Sequence, residues 1–126
     1  TQGTEDTWVD TDLTVTITCS ATTSKVYLLA ETTGIADTAN GFLYVTIERQ
    51  VSGGSDTNIG DATVGLCHMK SDQGAIIAPV ACHILDSPST TSAITYMLQR
   101  KNADGGTCGL MYQDVYSNIT AMEIGA

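Results

Sequence analysis

The sequence contains few basic residues. Among its 126 residues, five are Lys or Arg against 14 Asp or Glu, which gives a formal net charge of −9. The acidic residues are spread along the chain, so its general field repels phosphate backbones and anionic lipid surfaces. We therefore expect no nucleic-acid partner and no membrane partner.

Long hydrophobic runs are also missing. No stretch approaches the roughly 18 unbroken apolar residues of a membrane-spanning helix, and the longest apolar run, 74–82, contains a proline. The apolar fraction of 42% nevertheless excludes a disordered acidic tail, and 126 residues suit one domain with one core.

Signals for helices are absent, and a period of two residues dominates instead. Leu13, Val15 and Ile17 alternate with threonines, which is the pattern of a half-buried strand. Turn residues recur about every 8 to 12 residues, as in sandwiches and barrels. The pattern predicts strands at 13–19, 25–31, 41–51, 62–69, 75–85, 93–101, 107–112 and 118–124.

These strands predict an all-β fold, an antiparallel, jelly-roll-like β-sandwich of about eight strands. The sandwich domain is expected at 13–126, after a polar N-terminal arm at 1–12. An immunoglobulin-like sandwich is the main alternative. However, the sole tryptophan, Trp8, lies in the polar arm, so the Cys-Trp-Cys spacing of immunoglobulin domains is missing.

The turn Asp86-Ser87-Pro88 separates two strong strand patterns. Pro88 fixes φ and withholds a hydrogen-bond donor, while Asp86 and Ser87 are expected to cap the preceding strand through bonds to nearby amides. This break predicts a crossing from one sheet to the other.

Cysteine occurs four times and never in a CxxC arrangement. Cys19, Cys67, Cys82 and Cys108 admit three pairings if all are bridged. A β-rich domain of this length does not need disulfide cross-links for stability. Because free cysteine is also among the most buried residue types, buried free thiols are favoured over disulfides.

The pairs Cys67-His68 and Cys82-His83 combine two zinc-ligand types. Neighbours on a strand point to opposite faces, so each pair offers only one side chain to a shared site. Packing is therefore favoured over a metal site or a Cys-His nucleophile, and no metal or other cofactor is expected.

No catalytic motif is recognisable: the sequence has no nucleophile elbow, phosphate loop, HExxH or paired carboxylates. We expect no catalytic residue and no enzymatic activity. Loop residues Asp56, Asp61 and Asp72 could hold calcium, but without DxDxDG spacing solvated surface acids are favoured.

Tyrosine is the most frequent aromatic residue, with five copies in the sequence. Tyrosines can line a sugar-binding surface, yet they are also common strand residues, so strand packing is expected for each. The five are Tyr27, Tyr44, Tyr96, Tyr112 and Tyr116.

Three segments, read in order, carry a resemblance to a known family: TWVDTDLTVTITCSATTSKVYLLAE, HILDSPSTTSAITYMLQ and ITAMEIGA. They resemble the carboxy-terminal β-sandwich module of tailed-phage fibre and virion structural proteins of the aquatic phage type. The likeness runs from about residue 9 to 125 and is weaker at 31–70. It rests on Val9-Asp10-Thr11, Asp86-Ser87-Pro88, Thr95-Tyr96 and Met122-Glu123-Ile124.

The resemblance implies a non-catalytic virion protein that forms homo-oligomers, with a trimer expected, in a tail fibre or as a capsid decoration. Its partners would be copies of itself, other virion proteins and, at a fibre tip, a host-surface glycan. One alternative is a carbohydrate-binding or receptor-binding module. Another is a self-assembling extracellular filament or tube subunit that uses the arm at 1–12.

Overall fold

The computed structural model describes residues 2–3, 7–103, 106–111, 113 and 116–125. These ranges contain no α-helix, and none of their segments is a helix long and apolar enough to cross a membrane. They form ten strands: β1 (Gln2–Gly3), β2 (Val9–Thr18), β3 (Lys25–Ala36), β4 (Phe42–Val51), β5 (Asp56–Asn58), β6 (Cys67–Lys70), β7 (Ile76–Asp86), β8 (Ala93–Ala103), β9 (Cys108–Leu110) and β10 (Asn118–Ile124).

The strands form two five-stranded sheets with antiparallel pairing. In sheet A, β3 pairs with β7 along one side and with β10 and β9 along the other, and β9 pairs with β1. In sheet B, β8 lies between β2 and β4. The other side of β4 pairs with β5 and β6.

The long strands alternate between the sheets along the chain. β2, β4 and β8 belong to sheet B, whereas β3, β7 and β10 belong to sheet A. The prediction of an all-β, antiparallel sandwich is therefore confirmed. The break at Asp86-Ser87-Pro88 also separates the sheets as expected, with Ser89 at a positive φ of 54° between β7 and β8.

The core lies between the sheets and consists of inward-facing aliphatic side chains. Complete burial of each such side chain contributes about 1.5–3 kcal/mol relative to exposure. Those with at most 1% exposure include Val26, Leu28, Leu43, Val45, Ile47, Ile94, Leu98 and Leu110.

Gly34 on β3 faces side chains from both sheets. A Cβ atom at this position would lie 2.8 Å from side-chain atoms of Leu43 and Val80 and 2.9 Å from the sulfur of Met69. Any larger residue would therefore displace at least one of these side chains.

The predicted strand at 62–69 is wrong in its first part, and the short strand β5 was not predicted. The Asp61 carboxylate accepts hydrogen bonds from the amides of Thr63 and Val64 at 2.8 and 3.0 Å. With Gly65 at a φ of 72°, these bonds form a turn, so the strand begins only at Cys67.

Strand β2 begins at Val9, inside the predicted arm. Its register with β8 shifts between Asp10 and Thr14, and the buried Thr11 hydroxyl donates to the Leu98 carbonyl at 2.7 Å. The bulge interrupts the alternation of polar and apolar residues, which explains why the pattern indicated a strand only from Leu13.

Candidate functional site

The outer surface of sheet A carries a group of apolar side chains that face solvent. Register places Leu85, Tyr27 and Met122 in one row across β7, β3 and β10. Leu85 and Met122 are each 49% exposed. We call the outward side chains of Tyr27, Leu29, Leu85, Met122 and Ile124 the sheet A face.

Few charges lie on this side of the sheet. Among the outward positions of β3, β7 and β10, Lys25 and Glu31 are the charged residues, and they sit at different levels of β3. Their charges cancel, although the whole chain carries a formal net charge of −9. The sheet A face is therefore a neutral region on a strongly acidic molecule.

The two strands that flank β3 in this region have free outer edges within the described residues. β7 and β10 each pair there with β3 alone. Pro79 lies in the middle of β7, a position that suits an edge strand because proline cannot donate to a neighbour. The apolar row thus extends to both borders of this part of the sheet.

The outer surface of sheet B presents stacked aromatic rings and lysines, which we call the sheet B ladder: Trp8, Lys101, Tyr44, Phe42 and Lys70. The ammonium of Lys101 lies 4.9 Å from the ring centroid of Trp8 and 5.2 Å from that of Tyr44. The rings of Tyr44 and Phe42 are stacked at 5.5 Å, and the Lys70 ammonium lies 5.5 Å from the Phe42 centroid.

Trp8 joins the segment before β2 to the 61–65 turn. Its indole Nε1 donates to the Ala62 carbonyl at 3.0 Å, and its ring lies 2.8 Å from where a Cβ of Gly65 would stand. The ring is thus packed between Gly65 and Lys101. Trp8 is positioned by its own domain, and β1 likewise pairs with β9 of the same chain.

Polar groups next to the ladder also satisfy one another. The buried Gln99 amide donates to the carboxylates of Asp10 at 2.8 Å and Glu48 at 2.9 Å. Gln50 donates to the other Glu48 oxygen at 2.8 Å. On the outer surface of sheet B, the ladder rings and the carboxylates of Asp10 and Glu48 therefore have partners within the chain.

A buried polar cluster between the sheets was not predicted. Arg49 reaches the Asp86 carboxylate at 2.8 Å, and the fully buried Tyr96 hydroxyl donates to the same carboxylate at 2.7 Å. Burial, and then the bond to Asp86, raise the pKa of Tyr96. The expectation that Asp86 caps β7 through nearby amides is replaced by this ion pair, which links both sheets.

The structure separates the two Cys-His pairs by face, as strand geometry requires. Cys67 and Cys82 point into the sandwich, where Cys67 packs against the buried cluster that contains Cys82. His68 lies beside Tyr44 on the outside of sheet B, whereas His83 lies beside Tyr27 on the outside of sheet A. The histidines are therefore on opposite surfaces of the sandwich.

All four cysteines are free in the structure. Cys19, Cys82 and Cys108 are buried, whereas Cys67 is half-buried. Burial raises the pKa of Cys19 and of Cys108, so both thiols are protonated near neutral pH.

The three loop aspartates are not brought together. Asp61 bonds to turn amides, which hold its pKa below the ordinary value, and Asp72 pairs with Lys70 at 3.3 Å. Asp56 begins β5. The described residues contain no group of three or more His, Cys, Asp or Glu side chains that could hold a metal ion.

The tyrosines do not share one surface. Tyr27 belongs to the sheet A face, Tyr44 belongs to the sheet B ladder, and Tyr96 is fully buried. Tyr116 is fully exposed, and Tyr112 lies outside the described residues.

Comparisons with known proteins found no matching family model, no matching curated protein and no matching solved structure.

Proposed function

We propose that this protein is a non-enzymatic structural protein of a tailed-phage virion, a fibre or capsid-decoration module, that assembles as a homo-oligomer through the sheet A face. The observation that carries the assembly step is the exposed row of Leu85, Tyr27 and Met122. A contiguous apolar surface of this kind marks an interaction site on a soluble protein.

Charge favours a second copy of the chain as the partner. Two molecules with a net charge of −9 repel each other across most orientations. The sheet A face, with only Lys25 and Glu31 among its neighbouring outward positions, avoids this repulsion. Its neutrality therefore selects one side of the sandwich for self-association.

The virion assignment is supported by the ordered resemblance of three segments. All three contribute to the proposed assembly surface: β3, β7 and β10 supply Tyr27, Leu85 and Met122. A trimer is the state that the resemblance favours. An antibody against the chain should label intact phage particles in electron micrographs, and its absence from purified particles would refute the virion assignment.

The assembly step is tested by the mass of the protein in solution at micromolar concentrations, measured by light scattering. The wild-type chain should be an oligomer, and Leu85→Asp should shift it towards the monomer with at least about tenfold weaker association, since a desolvated unpaired carboxylate costs more than about 1.4 kcal/mol. Strictly monomeric wild-type protein would contradict the proposal.

Val64→Asp is the matched control. Val64 is 40% exposed, close to the 49% of Leu85, and lies in the 61–65 turn away from the sheet A face. The substitution adds the same charge, so general repulsion affects both variants equally. Equal weakening of assembly by both variants would show that net charge, rather than this face, controls association.

The two alternatives have less support in the structure. The rings of the sheet B ladder pack against lysines or against each other, which leaves less ring surface for a sugar to stack on. The described parts of the 1–12 arm, β1 and Trp8 onwards, contact their own domain.

A further inference from the structure

Cys67 and Cys82 lie opposite each other across the open side of the sandwich. Cys67 is on β6 at the border of sheet B, and Cys82 is on β7 at the border of sheet A. Side-chain atoms of Met69 on β6 and Val80 on β7 both lie within 2.9 Å of the point where a Cβ of Gly34 would stand. Cys67 lies two residues before Met69 on β6, and Cys82 lies two residues after Val80 on β7.

Cys67 packs against the buried cluster that contains Cys82, and it lines one cleft with Val80 and Ala81, the two residues before Cys82 on β7. A disulfide needs an S–S distance of about 2.05 Å, so the two sulfurs must approach to bonding distance. β6 is a border strand of four residues and can shift towards β7 more easily than a central strand.

The other two cysteines are too far away to compete. The register of β3 places Cys82 opposite Ala30 and Cys108 opposite Ala36, which are about 20 Å apart along the strand. Cys19 lies near the other end of β3. The residue after it, Ser20, bonds to Glu123, and Glu123 pairs with Val26 near the start of β3. Of the possible pairings, only that of Cys67 with Cys82 joins residues on strands that border one cleft.

Access differs between the two thiols. A cleft of ≈ 140 Å³ opens between β6 and β7, and Cys67 lines it together with Pro79, Val80 and Ala81. Cys82 is not among the residues that line the cleft and is only 4% exposed. A small reagent therefore reaches the sulfur of Cys67 first.

We infer that Cys67 and Cys82 form an oxidation site that closes into a disulfide between the two sheets when the protein meets a low-molecular-weight disulfide. The Cys67 thiolate attacks one sulfur of the reagent and expels the first thiolate, giving a mixed disulfide. The Cys82 thiol then loses its proton, attacks the Cys67 sulfur and expels the second thiolate. The reagent is reduced to two thiols as the protein dithiol is oxidised.

The order of attack agrees with the influence of the two thiols on each other. Interaction with Cys82 lowers the pKa of Cys67, whereas interaction with Cys67, and then burial, raise the pKa of Cys82. The accessible thiol is thus also the one that ionises first.

The test treats the folded wild-type chain with bis(2-hydroxyethyl) disulfide and maps disulfide-linked peptides by mass spectrometry without reduction. We expect a 67–82 bridge, with Cys19 and Cys108 still free for alkylation after unfolding. The bridge should raise the melting temperature by roughly 5–10 °C, and a reducing agent should reverse the rise. A bridge to Cys19 or Cys108, or an unmodified Cys67 in folded protein, would overturn the inference.

Two serine variants separate the steps. Cys82→Ser should accumulate the mixed disulfide on Cys67 because the second thiol is missing. Cys67→Ser should leave Cys82 unmodified over the same time. Circular dichroism confirms that each variant is folded before treatment, and rapid modification of Cys82 in folded Cys67→Ser would contradict the assigned order.

Discussion

The two outer surfaces of the sandwich use their large side chains differently. On sheet B, rings and lysines are stacked from Trp8 to Lys70, and the carboxylate of Glu48 is bonded by two amides. On sheet A, Leu85 and Met122 keep about half of their surface in solvent. The aromatic surface contributes to the domain's own stability, whereas the aliphatic surface is available to a partner.

This difference shows why residue type alone does not identify a binding surface. Exposed tryptophan and tyrosine are common anchors at interfaces. Here the Lys101 ammonium packs on the rings of Trp8 and Tyr44. Leu85 and Met122 are each 49% exposed and have no comparable contact within the described residues. Contacts within the chain therefore decide which side is free.

The strongest way to break the sheet B ladder is Gly65→Ala. A Cβ at Gly65 would lie 2.3 Å from the Val45 carbonyl oxygen and 2.8 Å from the Trp8 ring, on a backbone with φ of 72°. We expect a loss of about 3 kcal/mol or more in the free energy of unfolding, measured with urea.

Gly53→Ala is its control. Gly53 has a similar φ of 76°, but no atom lies within 4 Å of the point where its Cβ would stand, so the loss should be about 1 kcal/mol. Equal losses in both variants would show that the backbone conformation, and not the close approach of Val45 and Trp8, makes Gly65 necessary.

A second prediction compares one residue from each surface. Trp8→Ala removes a hydrogen bond and a cation–π contact and should cost about 2 kcal/mol in unfolding free energy. Leu85→Ser, on the sheet A face, should cost about 0.5 kcal/mol in the dilute monomer. A larger loss for Leu85→Ser, measured by urea unfolding at the same low concentration, would contradict the division of roles.

A smaller effect concerns the attachment of β10, which carries Met122. The Ser20 hydroxyl and amide both donate to Glu123 at 2.7 Å, and these bonds hold the pKa of Glu123 below its ordinary value of 4.5. The resulting stability is present above the unfolded-state pKa and is lost as pH falls through the lower folded-state pKa.

Glu123→Gln should therefore be less stable than the wild type at neutral pH, and the difference should shrink as the pH falls below about 4.5. Thermal unfolding over this range measures it. A difference that stays constant with pH would show that the charge of Glu123 has no part in holding β10.

The sandwich was predictable because alternation directly reports which side of a strand is buried. Leu13, Val15 and Ile17 show this in β2, as does the strong break after Asp86. The alternation is lost where a bulge intervenes at Thr11 or where the side chain of Asp61 builds a turn. These local hydrogen bonds depend on partners that the pattern does not encode.

The functional surfaces were less predictable than the fold. The partner of Asp86 is Arg49, which is 37 residues away in sequence, and the ladder joins Trp8 to Lys101 across sheet B. The sheet A face depends on the registers that align Leu85, Tyr27 and Met122. Only pairing between distant strands creates these neighbours, so a reading of single segments could not have found them.

Hydroxyl-radical footprinting over a range of protein concentrations tests the central claim most directly, because it compares both surfaces in one sample. If the chain assembles through the sheet A face, oxidation of Met122 should fall severalfold as concentration rises, while oxidation of Trp8 and Tyr44 stays constant. Protection of Trp8 and Tyr44 with Met122 unchanged would contradict the account and assign the interface to sheet B.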